Sequence, residues 1–168
     1  MGRMISVIVV MGVSGCGKTS VGSRLADHLG WQFIESDDFH SAEDIRKMSN
    51  GIPLNDEDRW PWLKRLNKAL KETIAGGQCV VLACSALKDS YRKMLFTGIE
   101  NGVVVYLKGS YALIHERMQQ RAHFMGEDML ASQFDALEEP GNAFVADIRL
   151  PAENIVMDIM REFGLSQR

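Results

Sequence analysis

The chain's 168 residues are enough for one domain with a real core, and 46% hydrophobic with 24% charged residues is an ordinary globular balance. A net charge of -3 supplies no cationic face for a phosphate backbone, so no nucleic-acid partner is expected. No apolar run approaches the roughly 18 residues of a bilayer span, so no membrane partner is expected either.

Short apolar runs alternate with helical patterns along the chain, the signature of an α/β sheet in a single domain over 1–168. Val7–Met11 is a continuous apolar run suited to a central parallel strand. The apolar start leads straight into a glycine loop with no cleavage-site pattern, so it reads as strand rather than leader. A helix is expected over Lys18–Leu29, with Val21, Leu25 and Leu29 on one face and Gly30 ending it. A second strand covers 31–36. The next helix is capped by Ser41 and followed by Gly51. A longer helix over 55–77 takes Asp56 or Asp58 as its cap, places Pro61 in its first turn, and buries Leu63, Leu66, Leu70 and Ile74. Strands follow at 79–84 and 102–109, helices at 111–121 and 127–140, a fifth strand at 143–148 and a closing helix at 151–164.

The segment Gly12-Val13-Ser14-Gly15-Cys16-Gly17-Lys18-Thr19, with Ser20 after it, satisfies the GxxxxGK(S/T) pattern between a strand and a helix. Its glycines let successive backbone N–H groups turn toward phosphate oxygens, and the helix N-terminus adds partial positive charge. Lys18 reaches the outer phosphates and the Thr19 hydroxyl suits Mg²⁺. The thiol of Cys16 is expected to be inert; the alternative is a redox-sensitive site beside a helix N-terminus. Cys16, Cys79 and Cys84 form no CxxC pair, which fits reduced thiols in the cytoplasm. His28, His40, His115 and His123 show no zinc-ligand spacing, and His123 is a candidate phosphate contact.

The loop names a nucleotide but not an acceptor. Neither NKxD nor DxxG follows the third strand, which disfavours a GTPase and favours a small kinase. Glu35 and Asp37 end the second strand two residues apart, and on a strand they would point the same way. One would sit toward Mg²⁺ or its waters and the other would accept an alcohol proton. Arg59, then Ser85, Lys88 and Arg92, then Arg117 and Arg121 follow successive strands, so all should gather at the sheet edge that carries the glycine loop.

At this point the chain resembles the gluconokinases, small P-loop kinases that phosphorylate D-gluconate. The segments that carry the likeness are MGVSGCGKT, DDFH, KMSNGIPLNDEDRWPWL, CSALKDSYR, YLKG and RMQQRAHFMGEDMLASQFDALEEP, in order over about 7–150. Two positions depart from the family pattern: Ser36 stands where Gly is expected before the Asp, and Cys16 replaces a commoner Ser or Ala. The resemblance implies a three-layer α/β/α P-loop fold like that of nucleoside monophosphate kinases, with a five-stranded parallel sheet, a mobile lid at about 117–138, and a homodimer. It implies ATP phosphates on Gly12–Ser20, Mg²⁺ near Thr19 and Glu35, and Asp37 at the acceptor hydroxyl. His40, Arg59, Lys88, Arg92 and Gln133 would line the gluconate site. Arg121 would reach the transferring phosphate and Arg117 the adenine. The rival readings are a shikimate-kinase-like enzyme, which should carry a glycine-rich turn in place of CSALKDSYR, and an idle nucleotide-binding module, against which Lys18, Thr19, Asp37 and Arg121 argue.

Overall fold

The computed structural model describes residues 4–121 and 126–168. His123 lies outside the described residues. Strand β1, Val7–Met11, is fully buried and pairs in parallel with β3, Val80–Ala83, and β4, Gly102–Lys108. Strands β2, Gln32–Glu35, and β5, Phe144–Asp147, flank them, giving the five-stranded order β2-β3-β1-β4-β5 with every pair parallel.

Alternation along β1 creates two cores, because successive side chains leave opposite faces. Ile8 and Val10 join Val21, Leu25 and Leu29 of α1, Lys18–Leu29, and Ile155, Val156 and Ile159 of α7, Ala152–Glu162. Val7, Val9 and Met11 meet Leu63, Leu66 and Leu70 of α3, Asp56–Ala75, and Tyr91 and Leu95 of α4, Asp89–Leu95. The result is the three-layer arrangement expected. Each of these fully buried aliphatic side chains contributes roughly 1.5–3 kcal/mol over its exposed state. The remaining helices are α2, Ala42–Ser49, α5, Tyr111–Gln119, and α6, Glu127–Ala136.

Several local expectations are corrected. The cap of α3 is Asn55, whose side chain accepts from Asp58 N–H while the Asp58 carboxylate accepts from Asn55 N–H. This reciprocal capping box satisfies two otherwise orphaned donors, which neither Asp56 nor Asp58 as cap would do. Pro61 therefore lies one turn deeper, inside α3. Strand β2 stops at Glu35, and Ser36–Phe39 forms a 3₁₀ turn, so Glu35 and Asp37 do not share a strand face. Helix α6 ends at Ala136 rather than at 140. The helical character of α4 is masked in sequence by its brevity, since seven residues hold barely two turns.

Order across the sheet places β1 between the strand to which the chain crosses leftward and those to which it crosses rightward. That reversal opens a crevice at the carboxyl ends of the strands, where ligands bind in open parallel sheets.

Candidate active site

The glycine loop connects β1 to α1 at this crevice. Gly12, Gly15 and Gly17 have φ of 151°, 81° and 102°, a region that side-chain-bearing residues rarely adopt. A Cβ on Gly12 would also meet Cys16 Sγ at 2.6 Å and the Leu107 carbonyl at 2.9 Å. These constraints keep the loop folded over the start of α1. Lys18 Nζ donates to the Val13 carbonyl at 3.0 Å, folding its ammonium back along the loop. Thr19 Oγ1 donates to Glu35 Oε2 at 2.5 Å, so a hydroxyl from the loop and a carboxylate from β2 meet beside the phosphate cradle. Cys16 is buried, and burial pushes its thiol above the usual range. An inaccessible protonated thiol is a poor nucleophile, which disfavours the redox alternative.

A cleft of about 260 Å³ opens next to the loop. Ser14 and Lys18 form its loop wall; Asp37, His40, Arg59, Ser85 and Gln133 supply polar groups; Ile45, Met48, Leu54 and Met129 are among its apolar lining. Five elements thus bring together residues that are far apart in the chain. A larger groove of about 520 Å³ runs between Lys108, Val145 and Arg149, but no glycine-loop residue lines it, so the chemistry belongs to the smaller cleft.

The Asp37 side chain is 81% exposed, projecting from the 3₁₀ turn. Trp62 holds that turn from below: its indole N–H donates to the Ser36 carbonyl at 2.8 Å, and Arg65 Nε donates to the Phe39 carbonyl at 2.9 Å. His40 stacks on Trp62 with ring centroids 4.4 Å apart. Its Nε2 lies 3.8 Å from Asp37 Oδ1 and its Nδ1 3.8 Å from Asp44 Oδ2. Burial lowers the His40 pKa despite the two carboxylates, which keeps the imidazole neutral near pH 7. Trp62 and Asp44 were not singled out from sequence. An indole needs a partner for its N–H when buried, and that requirement was the available signal.

Arg59 has one nitrogen 3.0 Å from the Tyr91 hydroxyl, to which it donates, and its guanidinium lies over the Tyr91 ring. Lys88 Nζ donates to Asp56 Oδ1 at 3.0 Å, and the Tyr91 hydroxyl also donates to Asp56. Hydrogen bonds from Tyr91 and Lys88 lower the Asp56 pKa, in that order, and the Asp56 bond raises that of Lys88. Arg59 lines both this adjoining cleft, which holds Lys88, and the one holding Asp37.

Arg92, expected to line the acceptor site, is placed differently. It is 7% exposed and donates to the carbonyls of Ala86, Leu87 and Glu138 at 2.8, 3.1 and 2.9 Å. Ala86 has φ of 44°, so the guanidinium secures a strained turn after β3, from which the Ser85 carbonyl accepts Gly12 N–H. Arg92→Met is expected to cost roughly 3 kcal/mol by leaving buried carbonyls without donors, read as a lower urea midpoint. A variant of unchanged stability with a raised acceptor KM would instead return Arg92 to the substrate.

Arg117 donates to the Ile148 carbonyl at 2.7 Å, tying α5 to the loop after β5. Arg121 is exposed just beyond α5, near enough to Cys16 for its charge to be felt there. Gln133 of α6 is bonded to Ser14 of the glycine loop.

A phosphate-gripping loop at the switch point of a parallel sheet, facing a carboxylate across a small polar cleft, defines a small P-loop kinase. The family model described as shikimate kinase matches residues 14–160. A probable gluconokinase of Rattus norvegicus is 48% identical over 153 residues, covering 80% of this chain and 83% of that one. The thermosensitive gluconokinase of Escherichia coli K12 is 49% identical over 79% of this chain and 71% of its own. The crystal structure of a gluconokinase from Sinorhizobium meliloti 1021 superposes with a TM-score of 0.87 at 42% identity, covering 96% and 93% of the two chains. The chain belongs to the gluconokinase family of P-loop kinases.

Proposed function

We propose that the protein transfers the γ-phosphoryl group of ATP to the primary hydroxyl of D-gluconate. The observation that carries this reading is the single cleft that joins Lys18 of the phosphate loop to Asp37 and Arg59, in a chain whose relatives are named gluconokinases. Backbone N–H groups of Gly12–Ser20 and the Lys18 ammonium hold the phosphates, and Arg121 approaches the transferring group from the end of α5. Asp37 accepts or orients the acceptor proton, and the Arg59 fork is matched to a carboxylate. Lys88 supports Arg59 from the adjoining cleft, and His40 borders the acceptor beside Asp37. In this reading Arg117, which donates to the Ile148 carbonyl, lies against adenine. The lid of this reading spans about 117–138, of which residues 122–125 lie outside the described residues.

The Thr19 hydroxyl and Glu35 carboxylate, already in contact, form an oxygen pair suited to Mg²⁺ and its waters. The metal supplies charge neutralisation at the phosphates when bound. No group of three or more His, Cys, Asp or Glu that could hold a metal occurs among the described residues. No helix among the described residues is long and apolar enough to cross a membrane. A cytoplasmic homodimer is part of the proposal and is drawn from the family resemblance alone.

The test is ADP release measured with gluconate, shikimate and nucleoside monophosphates in turn. Gluconate alone should support turnover. Release with shikimate but not gluconate would move the reading to the sister enzyme, and release with none would leave a nucleotide-binding module.

A further inference from the structure

Two hydrogen bonds join residues 119 positions apart across the active cleft. Ser14 N–H donates to Gln133 Oε1 at 2.6 Å, and Gln133 Nε2 donates to Ser14 Oγ at 2.9 Å. Chemistry fixes the amide's orientation: a backbone N–H can only donate, so the atom facing it is oxygen. The sequence reading places Gln133 against the sugar acid. In the structure it lines the cleft that holds Asp37 and Arg59 and is also bonded to the nucleotide loop.

Ser14 belongs to the loop whose backbone donors serve phosphate, and it also lines the cleft that contains Asp37. Its N–H therefore stands at the acceptor-facing corner of the loop. In an in-line transfer the terminal phosphoryl group must lie between the donor nucleotide and Asp37, which is that corner. One N–H makes one strong hydrogen bond, so Gln133 Oε1 and a terminal phosphate oxygen claim the same donor.

We infer that Gln133 is a positioning residue that competes with the nucleotide's terminal phosphate for Ser14 N–H, and that phosphate binding releases its amide toward the acceptor side of the cleft. The exchange is a swap of hydrogen bonds: Ser14 N–H passes from the amide oxygen to a phosphate oxygen, and Gln133 Nε2 leaves Ser14 Oγ. The acceptor's identity rests on the function proposed above. The competition concerns the nucleotide alone.

Calorimetric titration of the full chain with a non-hydrolysable ATP analogue and Mg²⁺, with ADP as the comparator, tests this. Gln133→Ala should bind the analogue about three- to tenfold more tightly, the worth of one neutral hydrogen bond. Gln133→Glu should bind it about tenfold more weakly, because a carboxylate holds the N–H more strongly and repels phosphate. Ser14→Ala keeps the N–H but loses the hydroxyl, so its gain should be smaller than that of Gln133→Ala. ADP affinity should change little in all three, since ADP lacks the terminal phosphate. A Gln133→Ala affinity for the analogue that is unchanged or weaker overturns the inference, as does an equal shift for ADP. If melting shows Gln133→Ala to be unfolded, the opposite signs expected for Gln133→Glu and Ser14→Ala decide the matter. Only nucleotide affinity is read, so the result stands whether or not gluconate is the acceptor.

Discussion

Lys18→Met is expected to lower kcat by about three orders of magnitude while the protein melts at the wild-type temperature. Three orders of magnitude correspond to about 4 kcal/mol of lost transition-state stabilisation, the scale of removing a preorganised charge from a phosphoryl-transfer site. Methionine matches the length of lysine and keeps its apolar stem. What disappears is the ammonium, and with it the hydrogen bond to the Val13 carbonyl, a contact within the loop itself. That bond ties no two elements together, so its loss should spare global stability. Turnover near wild type in this variant, measured by ADP release at saturating ATP, would rule out Lys18 as the charge that follows the phosphoryl group.

Asp37→Asn carries the second large effect. Transfer should fall by about two to four orders of magnitude, while affinity for the nucleotide survives. The amide has nearly the carboxylate's shape, so the 3₁₀ turn, held by Trp62 and Arg65, should persist. It cannot take a proton from an attacking hydroxyl. Nucleotide titration together with single-turnover transfer separates the two properties. A variant that loses both would show that Asp37 matters through the loop's architecture, and one that loses neither would move the proton acceptor elsewhere. The partners of Asp37 sharpen the expectation: a neutral His40 at 3.8 Å, behind it Asp44, and Trp62 beneath the imidazole ring.

Those partners also mark where sequence reasoning ran short. Asp37 was legible because acidic residues at the end of a parallel strand lie on the ligand side. Its placement was expected from strand alternation, and the chain instead turns at Ser36. Two backbone carbonyls, those of Ser36 and Phe39, each bonded to a side chain 26 residues away, stabilise that turn. No local pattern encodes a bond of that separation. Arg92 shows the same limit from the other side. Its place after the third strand matched that of the other candidate cations, yet its guanidinium turns inward to the carbonyls of a strained loop.

What the sequence by itself determined is everything that repeats locally or matches at fixed spacing. The burial of β1 follows from five consecutive apolar residues, the phosphate loop from glycines at set intervals, and the order of the strands and of the helices other than α4 from their periodicities. The family too was readable, because long segments such as GIPLNDEDRWPWL carry many residues in one register. Tertiary structure alone decided which side chain of each cluster faces the cleft. It directed Gln133 to Ser14 and Arg92 to the interior, and paired Lys88 with Asp56. The reason is physical: spacing along the chain sets the face from which a side chain leaves, while its final hydrogen-bond partner depends on which donors and acceptors folding buries beside it.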